Sequence, residues 1–467
     1  MSRKLWIVAL AMCIIMPQAK AQDEKKQQSP WTKEQKIEAL SRFWAEARRN
    51  FVYMPKIGIA NWDSLYRVML PQVMESKDDY DFLRIMQRFC AFLKDGHTNI
   101  YASSPELRFT TTAFGDMEME MDWVDGKLIV SAIDSVNARQ IPPGTEIVAI
   151  NDRPAVDYLR EESEVYVSAS APHARRKQAA FILFQAPHGT TRKVTFLVGK
   201  KQIVRQVTNG YLPNNGPLIR LKGYKWVDYY KDFEYRRIDK KIAYIRIGTM
   251  DSEDVVKKFI DTFPQFQDAK GIILDLRNNG GGSSGNSANI LSYLTSRQTL
   301  YGAAWRTRIY KPAFAAWGKY VTEKDTVDSS WAKECWLQVN DEAFTDREIS
   351  VYPTGNHPRM EVPTIVLTNS NTASAAEDFL IFTDSLKNFV RMGEVTDGST
   401  GMPIPIQLIP NMDARICAKE DTWPDGRAFV GVGVEPHIAV PVTVEALKSD
   451  KDIQLEAAIK ELKKRIR

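Results

Sequence analysis

The chain has 467 residues, more than one ordinary domain needs, so two or three are expected. Its hydrophobic share of 44% is enough to bury real cores, and its charged share of 26% suits a water-facing surface. Against 63 basic residues stand 58 acidic ones, and a net charge of +5 spread along the chain excludes the concentrated basic face of a nucleic-acid binder.

In chain order, Arg3 and Lys4 precede an apolar run, Leu5 to Met16, too short to span a bilayer. Ala19 and Ala21 follow in the A-x-A pattern of signal-peptidase cleavage, so residues 1–21 read as a signal peptide and the mature chain starts near Gln22. Cys13 makes a poor lipoprotein site, because Met12 stands where a small residue is wanted. The reading is an exported protein, periplasmic or extracellular. No later stretch reaches the roughly 18 apolar residues of an integral membrane segment.

Residues 22–109 read as an N-terminal helical region. Between Asp81 and Leu93, the residues Phe82, Ile85, Met86, Phe89, Cys90 and Leu93 recur on one helical face. Asp95-Gly96 stops that helix, and Thr98 to Tyr101 looks extended. From residue 110 to 223 the pattern turns to short strands and turns, with Asp125-Gly126 as a tight turn before Lys127-Leu-Ile-Val130. The run Pro142-Pro-Gly-Thr-Glu-Ile-Val-Ala-Ile-Asn151 resembles a PDZ domain, a fold that adds a peptide strand to its sheet edge. Residues 224–467 alternate strand and helix. Strands are expected at Ile242–Ile247, Gly271–Asp275 and Thr364–Thr368, and helices at Ser252–Phe263, Ser287–Ser296 and Ala375–Leu386. The expected fold class is therefore a multidomain α/β protein.

Chemistry concentrates at two strand-to-helix junctions. In the first, Val366-Leu-Thr-Asn-Ser-Asn-Thr-Ala-Ser-Ala-Ala-Glu-Asp-Phe379, Ser374 stands among small residues at a helix start. Small neighbours admit a substrate carbonyl, and free N–H groups with the helix dipole favour a developing negative charge. The N–H of Ala375 is the natural oxyanion donor. The second junction, Asp275-Leu-Arg-Asn-Asn-Gly-Gly-Gly282, lets backbone approach a ligand closely and lacks the Gly-Lys-Ser/Thr of a phosphate loop.

The second run, together with Thr372-Ala-Ser-Ala-Ala-Glu377, resembles the paired motifs of the C-terminal-processing (tail-specific) serine proteases. The resemblance covers most of the mature chain. It implies a C-terminal layered α/β domain of crotonase/ClpP-like type, Ser374 as nucleophile, and an oxyanion hole from Ala375 and Gly281. The branch with a serine–lysine dyad places its lysine where this chain has Ser399. Leu93-Lys-Asp-Gly-His-Thr98 is similar instead to the Asp-Gly-His-Thr motif of the tricorn-like branch, which implies His97 as the base. For a third member, Glu435, Asp95 and Glu377 stay open, and so does a dyad alone.

His173, His188, His357 and His437 are isolated and show no metal-ligand spacing, so neither metal nor cofactor is expected. Cys90 reads as core, and Cys335 and Cys417 could pair in an oxidising compartment. The expected partner is a peptide or unfolded protein substrate, with no nucleic acid; the aromatic stretch Tyr301 to Tyr320 reads as cleft wall or surface. The main rival is a non-catalytic binding protein on the same scaffold, and the second an envelope-associated structural protein.

Overall fold

The computed structural model describes residues 31–102, 109–227 and 230–466. The signal-peptide reading and Cys13 lie outside the described residues. No helix among those described is long and apolar enough to cross a membrane.

The N-terminal region is helical, as its periodicity predicts. Its long helices span Lys33–Asn50, Ile59–Met74 and Asp79–Ala91. Thr32 and Gln35 form a capping box at the first, and the Asp78 side chain caps the third. Trp62 stacks on Phe89 at 4.2 Å in a core that also takes in Phe43, Phe82 and Cys90. This region does not close its core alone. Leu408, Met412, Ala414 and Ile416, from the hairpin Pro403–Ile409 and Met412–Cys417, complete it. The strand Asn99–Ala102 pairs antiparallel with Met412–Cys417, so the segment that follows His97 is tied to the C-terminal region.

The middle region holds the expected hairpin: Met117–Val124 pairs with Lys127–Asp134 across the Asp125-Gly126 turn. Both turn residues have positive φ, +54° and +74°, as a tight two-residue turn requires. Two helices, Ala155–Glu162 and Pro172–Ile182, lie where the sequence suggested mostly strands and turns. Leu159, Ala179 and Ala180 earn them their place by packing against Phe184, Val194 and Phe196 of the same core.

The C-terminal region is built on a six-stranded sheet in the order Phe233–Arg237, Ile242–Ile247, Gly271–Asp275, Thr364–Thr368, Phe389–Gly393 and Ile438–Ala439. All pairs after the first are parallel. Strand alternation feeds two cores. Ala243, Ile245, Ile272 and Leu274 join a core with Phe259, Leu291 and Phe379 from helices on one face. Ile242, Tyr244 and Ile273 face Ala458 and Leu462 of the helix Ile453–Arg465 on the other.

Two sequence expectations need correction here, and a third question that the sequence left open is answered. The helix expected at Ser287–Ser296 spans Ser284–Ser292, because it starts directly from the glycine loop and uses Gly285 in its first turn. The helix expected to run to Leu386 ends at Thr383, where the Thr383 hydroxyl turns back to the Leu380 carbonyl at 2.8 Å. Cys335 and Cys417 do not pair. Each is free and buried, Cys417 against the N-terminal helices and Cys335 within the helix Ser330–Val339 beside Gly318.

Candidate active site

The strands Gly271–Asp275 and Thr364–Thr368 are neighbours, with Asp275 opposite Leu367. Their carboxyl ends therefore open side by side, the usual place for a site in a parallel sheet. The loops that follow are laced together. The Ala373 N–H donates to the Asn279 carbonyl at 3.0 Å, Thr372 Oγ1 to the Leu276 carbonyl at 2.9 Å, and Asn369 Nδ2 to Asn278 Oδ1 at 2.8 Å. The stem of the glycine loop is fixed by charge. Buried Asp275 pairs with Arg277 at 2.6 Å and accepts from the Tyr244 hydroxyl at 2.8 Å, while Arg277 reaches Asp452 at 2.7 Å. Asp275 and Arg277 of the glycine-loop motif are thus anchors rather than reacting groups.

Ser374 caps the helix Ala375–Thr383 with φ +55° and ψ −124°. That conformation is rare for a side-chain-bearing residue and costs about 1–3 kcal/mol. Its surroundings hold it there: the Ser374 N–H donates to the Ser399 carbonyl at 2.9 Å and to Glu377 Oε2 at 3.1 Å. Gly281, at φ +102°, lies directly against it. A Cβ at Gly281 would sit 2.6 Å from Ser374 Cβ and 2.8 Å from the Ala373 carbonyl oxygen, so no side chain fits. The Ala375 N–H makes no hydrogen bond among the described residues. The Gly281 N–H does, donating to Asn279 Oδ1 at 2.9 Å.

His97 reaches this place from the other end of the chain. Its Nδ1 is 2.7 Å from Ser399 Oγ, 302 residues away in sequence. Among the described residues no hydrogen bond joins the imidazole to Ser374 Oγ; the link runs through Ser399. Gly96 permits the approach, since a Cβ there would lie 2.5 Å from Ser399 Oγ. Burial, then the charges of Arg415 and Lys419, push the His97 imidazole down to about 3, so it is neutral at pH 7.

The acidic candidates take different places. Glu377 is fully buried and gathers the loop that carries Ser399: its Oε1 accepts from Thr396 Oγ1 at 2.5 Å and the Gly398 N–H at 2.9 Å, and its Oε2 from the Ser399 N–H at 3.0 Å. Burial, then Asp397, push its carboxyl up to about 8, against the pull of those donors. Asp95 is buried beneath the histidine segment, accepts from Thr98 Oγ1 at 2.6 Å, and is pushed up to about 6 by burial. Glu435 is exposed, and its carbonyl, not its carboxylate, is engaged, by Arg391 at 3.2 Å. Ser399 is the residue that the sequence pointed to only as the position of a missing lysine. Nothing local marks it as the partner of His97. Among the described residues no cluster of three or more His, Cys, Asp or Glu is arranged to hold a metal ion.

Residues 241–440 match the profile of peptidase family S41. No curated protein matches the chain in sequence. Among solved structures, mature CPAF complexed with lactacystin is 17% identical, with a TM-score of 0.63 over 93% of this chain and 98% of that one. A candidate peptidase from Parabacteroides merdae is 20% identical, with a TM-score of 0.51 over 92% of this chain and 97% of that one. At such identities the likeness to both is one of fold. It extends across all three regions, whereas the family match rests on the sheet and loops that hold Gly281 and Ser374. Through residues 241–440 the chain carries a peptidase family S41 domain, that of the C-terminal-processing serine peptidases.

Proposed function

We propose that this protein is an exported serine peptidase that cleaves proteins or peptides through an acyl-enzyme on Ser374, with His97 as general base. The observation that carries the reading is the chain of contacts from the strained Ser374 turn through Ser399 to the His97 imidazole. If the Nδ1–H donates to Ser399 Oγ, the lone pair stands on Nε2, the atom that then takes the Ser374 proton. Ser399 does the orienting that an acid does in a Ser-His-Asp triad. As the hydroxyl attacks the scissile carbonyl, the negative charge forming beside the ring favours the imidazolium. The Ala375 N–H, on the first turn of its helix, donates to the oxyanion. Gly281 supplies the second donor once its N–H turns from Asn279 to the substrate. His97 then protonates the leaving amine, and water releases the acyl group. No cofactor enters this scheme. The β-rich region serves as a PDZ-like element that holds an extended peptide by strand addition.

One observation favours the rival, a binding protein on the same scaffold: among the described residues no hydrogen bond joins His97 to Ser374 Oγ. Catalytic hydrogen bonds commonly tighten only with substrate, so the peptidase reading stands ahead. Labelling of the purified protein with a fluorophosphonate decides between them. Wild type should label, with Ser374→Ala unlabelled and His97→Ala slowed by about 10³-fold or more. A folded wild type that stays unlabelled would hand the site to the binding reading.

A further inference from the structure

The pair His97–Ser399 joins two loops, residues 95–98 and 394–402, that have no regular structure of their own at the contact. One short segment of the β-rich region, residues 168–173, touches both. Ser170 Oγ accepts the Gly96 N–H at 2.9 Å and lies 3.4 Å from Asp95 Oδ1, directly beneath His97. Three residues on, His173 Nε2 is 2.7 Å from the Thr396 carbonyl, in the loop that ends at Ser399. Because a carbonyl can only accept, the His173 Nε2 carries the proton. Between them Ala171 packs on Gly398, whose added Cβ would lie 3.2 Å from the Ala171 methyl, and Ser168 Oγ reaches Cys90 Sγ at 3.4 Å. Pro172 then starts the helix Pro172–Ile182, which fixes the backbone direction into His173.

We infer that this segment is a strap that sets the position of the catalytic base, with Ser170 and His173 as positioning residues. The inference rests on the Ser374–His97 reading. Its physical ground is that a hydrogen bond between two irregular loops is only as well placed as the loops, and a displacement of about 1 Å can cost about 100-fold in rate. Glu377 fixes the Ser399 loop from the side of the sheet. On one side the two loops run into strands, Asn99–Ala102 and Pro403–Ile409, that both pair with Met412–Cys417; across the contact itself the strap relates the Ser399 loop to the histidine loop. Neither Ser170 nor His173 needs to touch substrate.

The test uses the full-length mature protein with Ser170→Ala, His173→Phe and His173→Gln. Three quantities are read: the rate of fluorophosphonate labelling, kcat and KM on an unfolded protein, and the melting temperature. Phe keeps an aromatic ring without the donor; Gln can present an N–H near the same place. We expect His173→Phe and Ser170→Ala to lower labelling rate and kcat about 10-fold or more with little change in KM. His173→Gln should recover most of the rate. Wild-type rates in Ser170→Ala and His173→Phe would overturn the inference, and so would equal losses in Phe and Gln variants that track a fall in melting temperature. If wild type itself does not label, the Ser374 reading fails. The strap is then judged on the ¹⁵N shifts of the His97 ring, which His173→Phe must move and His173→Gln must leave in place.

Discussion

The two segments that meet at the site are built in opposite ways. The Ser374 turn is made largely of its own neighbourhood: a buried strand, small residues, a helix start, and a glycine loop from the adjacent strand. The His97 segment has almost nothing local to hold its side chain. Its geometry comes from Ser399, from Asp95 and Ser170 beneath it, and from Arg415, which donates to the Gly96 carbonyl at 3.2 Å. A strained serine turn on a rigid sheet can keep its shape when its surroundings change. A histidine held by borrowed contacts cannot. Damage near Ser374 should therefore appear as lost chemistry with steric cause, and damage near His97 as misplacement.

The comparison can be broken most forcefully at Gly281. Gly281→Ala places a methyl 2.6 Å from Ser374 Cβ at a φ of +102°. It should cost about 2–4 kcal/mol and reduce labelling of Ser374 by at least about 100-fold. Denaturant unfolding and labelling kinetics check both figures. A variant with normal labelling would mean that the serine turn is less closely packed than described.

Glu377 comes next, because it serves both sides: it bonds the Ser374 N–H and gathers the Ser399 loop. Glu377→Gln replaces one oxygen with an NH2, whose two donors face N–H or O–H groups where the protonated carboxyl has a single proton to place. It should lose about 2–4 kcal/mol of stability, and kcat with it. The pH dependence sharpens the point. With its carboxyl raised from 4.5 to about 8, the folded protein holds a proton there that the unfolded chain has released. The stabilisation from that proton is full below about pH 4.5 and is lost as pH rises to about 8. The melting temperature of wild type should therefore fall more between these limits than that of Glu377→Gln. Parallel curves would show that Glu377 is ionised throughout.

The smallest effect expected is a gain. Ser374→Gly removes the side chain that makes φ +55° costly, so it should stabilise the fold by about 1 kcal/mol while abolishing labelling. Thermal melting and fluorophosphonate labelling read the two halves. A loss of stability would mean that the hydroxyl contributes more to the fold than its strain costs.

Much of the architecture was legible from residues alone. The strands at Ile242–Ile247, Gly271–Asp275 and Thr364–Thr368 fall where the apolar runs put them, because a strand covered on both faces has to be apolar throughout. The helical face through Phe82, Met86, Phe89 and Cys90 is buried as its spacing requires. The helices Ala155–Glu162 and Pro172–Ile182 were not legible, since tertiary packing, rather than a strong local pattern, keeps them helical. A pairing of Cys335 with Cys417 was open from the sequence, and the two cysteines lie in separate parts of the fold.

By itself, the sequence determined the Ser374 turn and the glycine loop, because both are local: small residues and a helix start lie within a few positions of Ser374, and three glycines within a few of Asp275. Only the tertiary structure decided what stands beside His97. Ser399 is 302 residues away from it and its partnership is made by loops from distant regions, with Glu377 below and residues 168–173 across them. Backbone propensity acts over a few residues, whereas a hydrogen bond between irregular loops depends on every contact that fixes both, and no spacing in the chain records that.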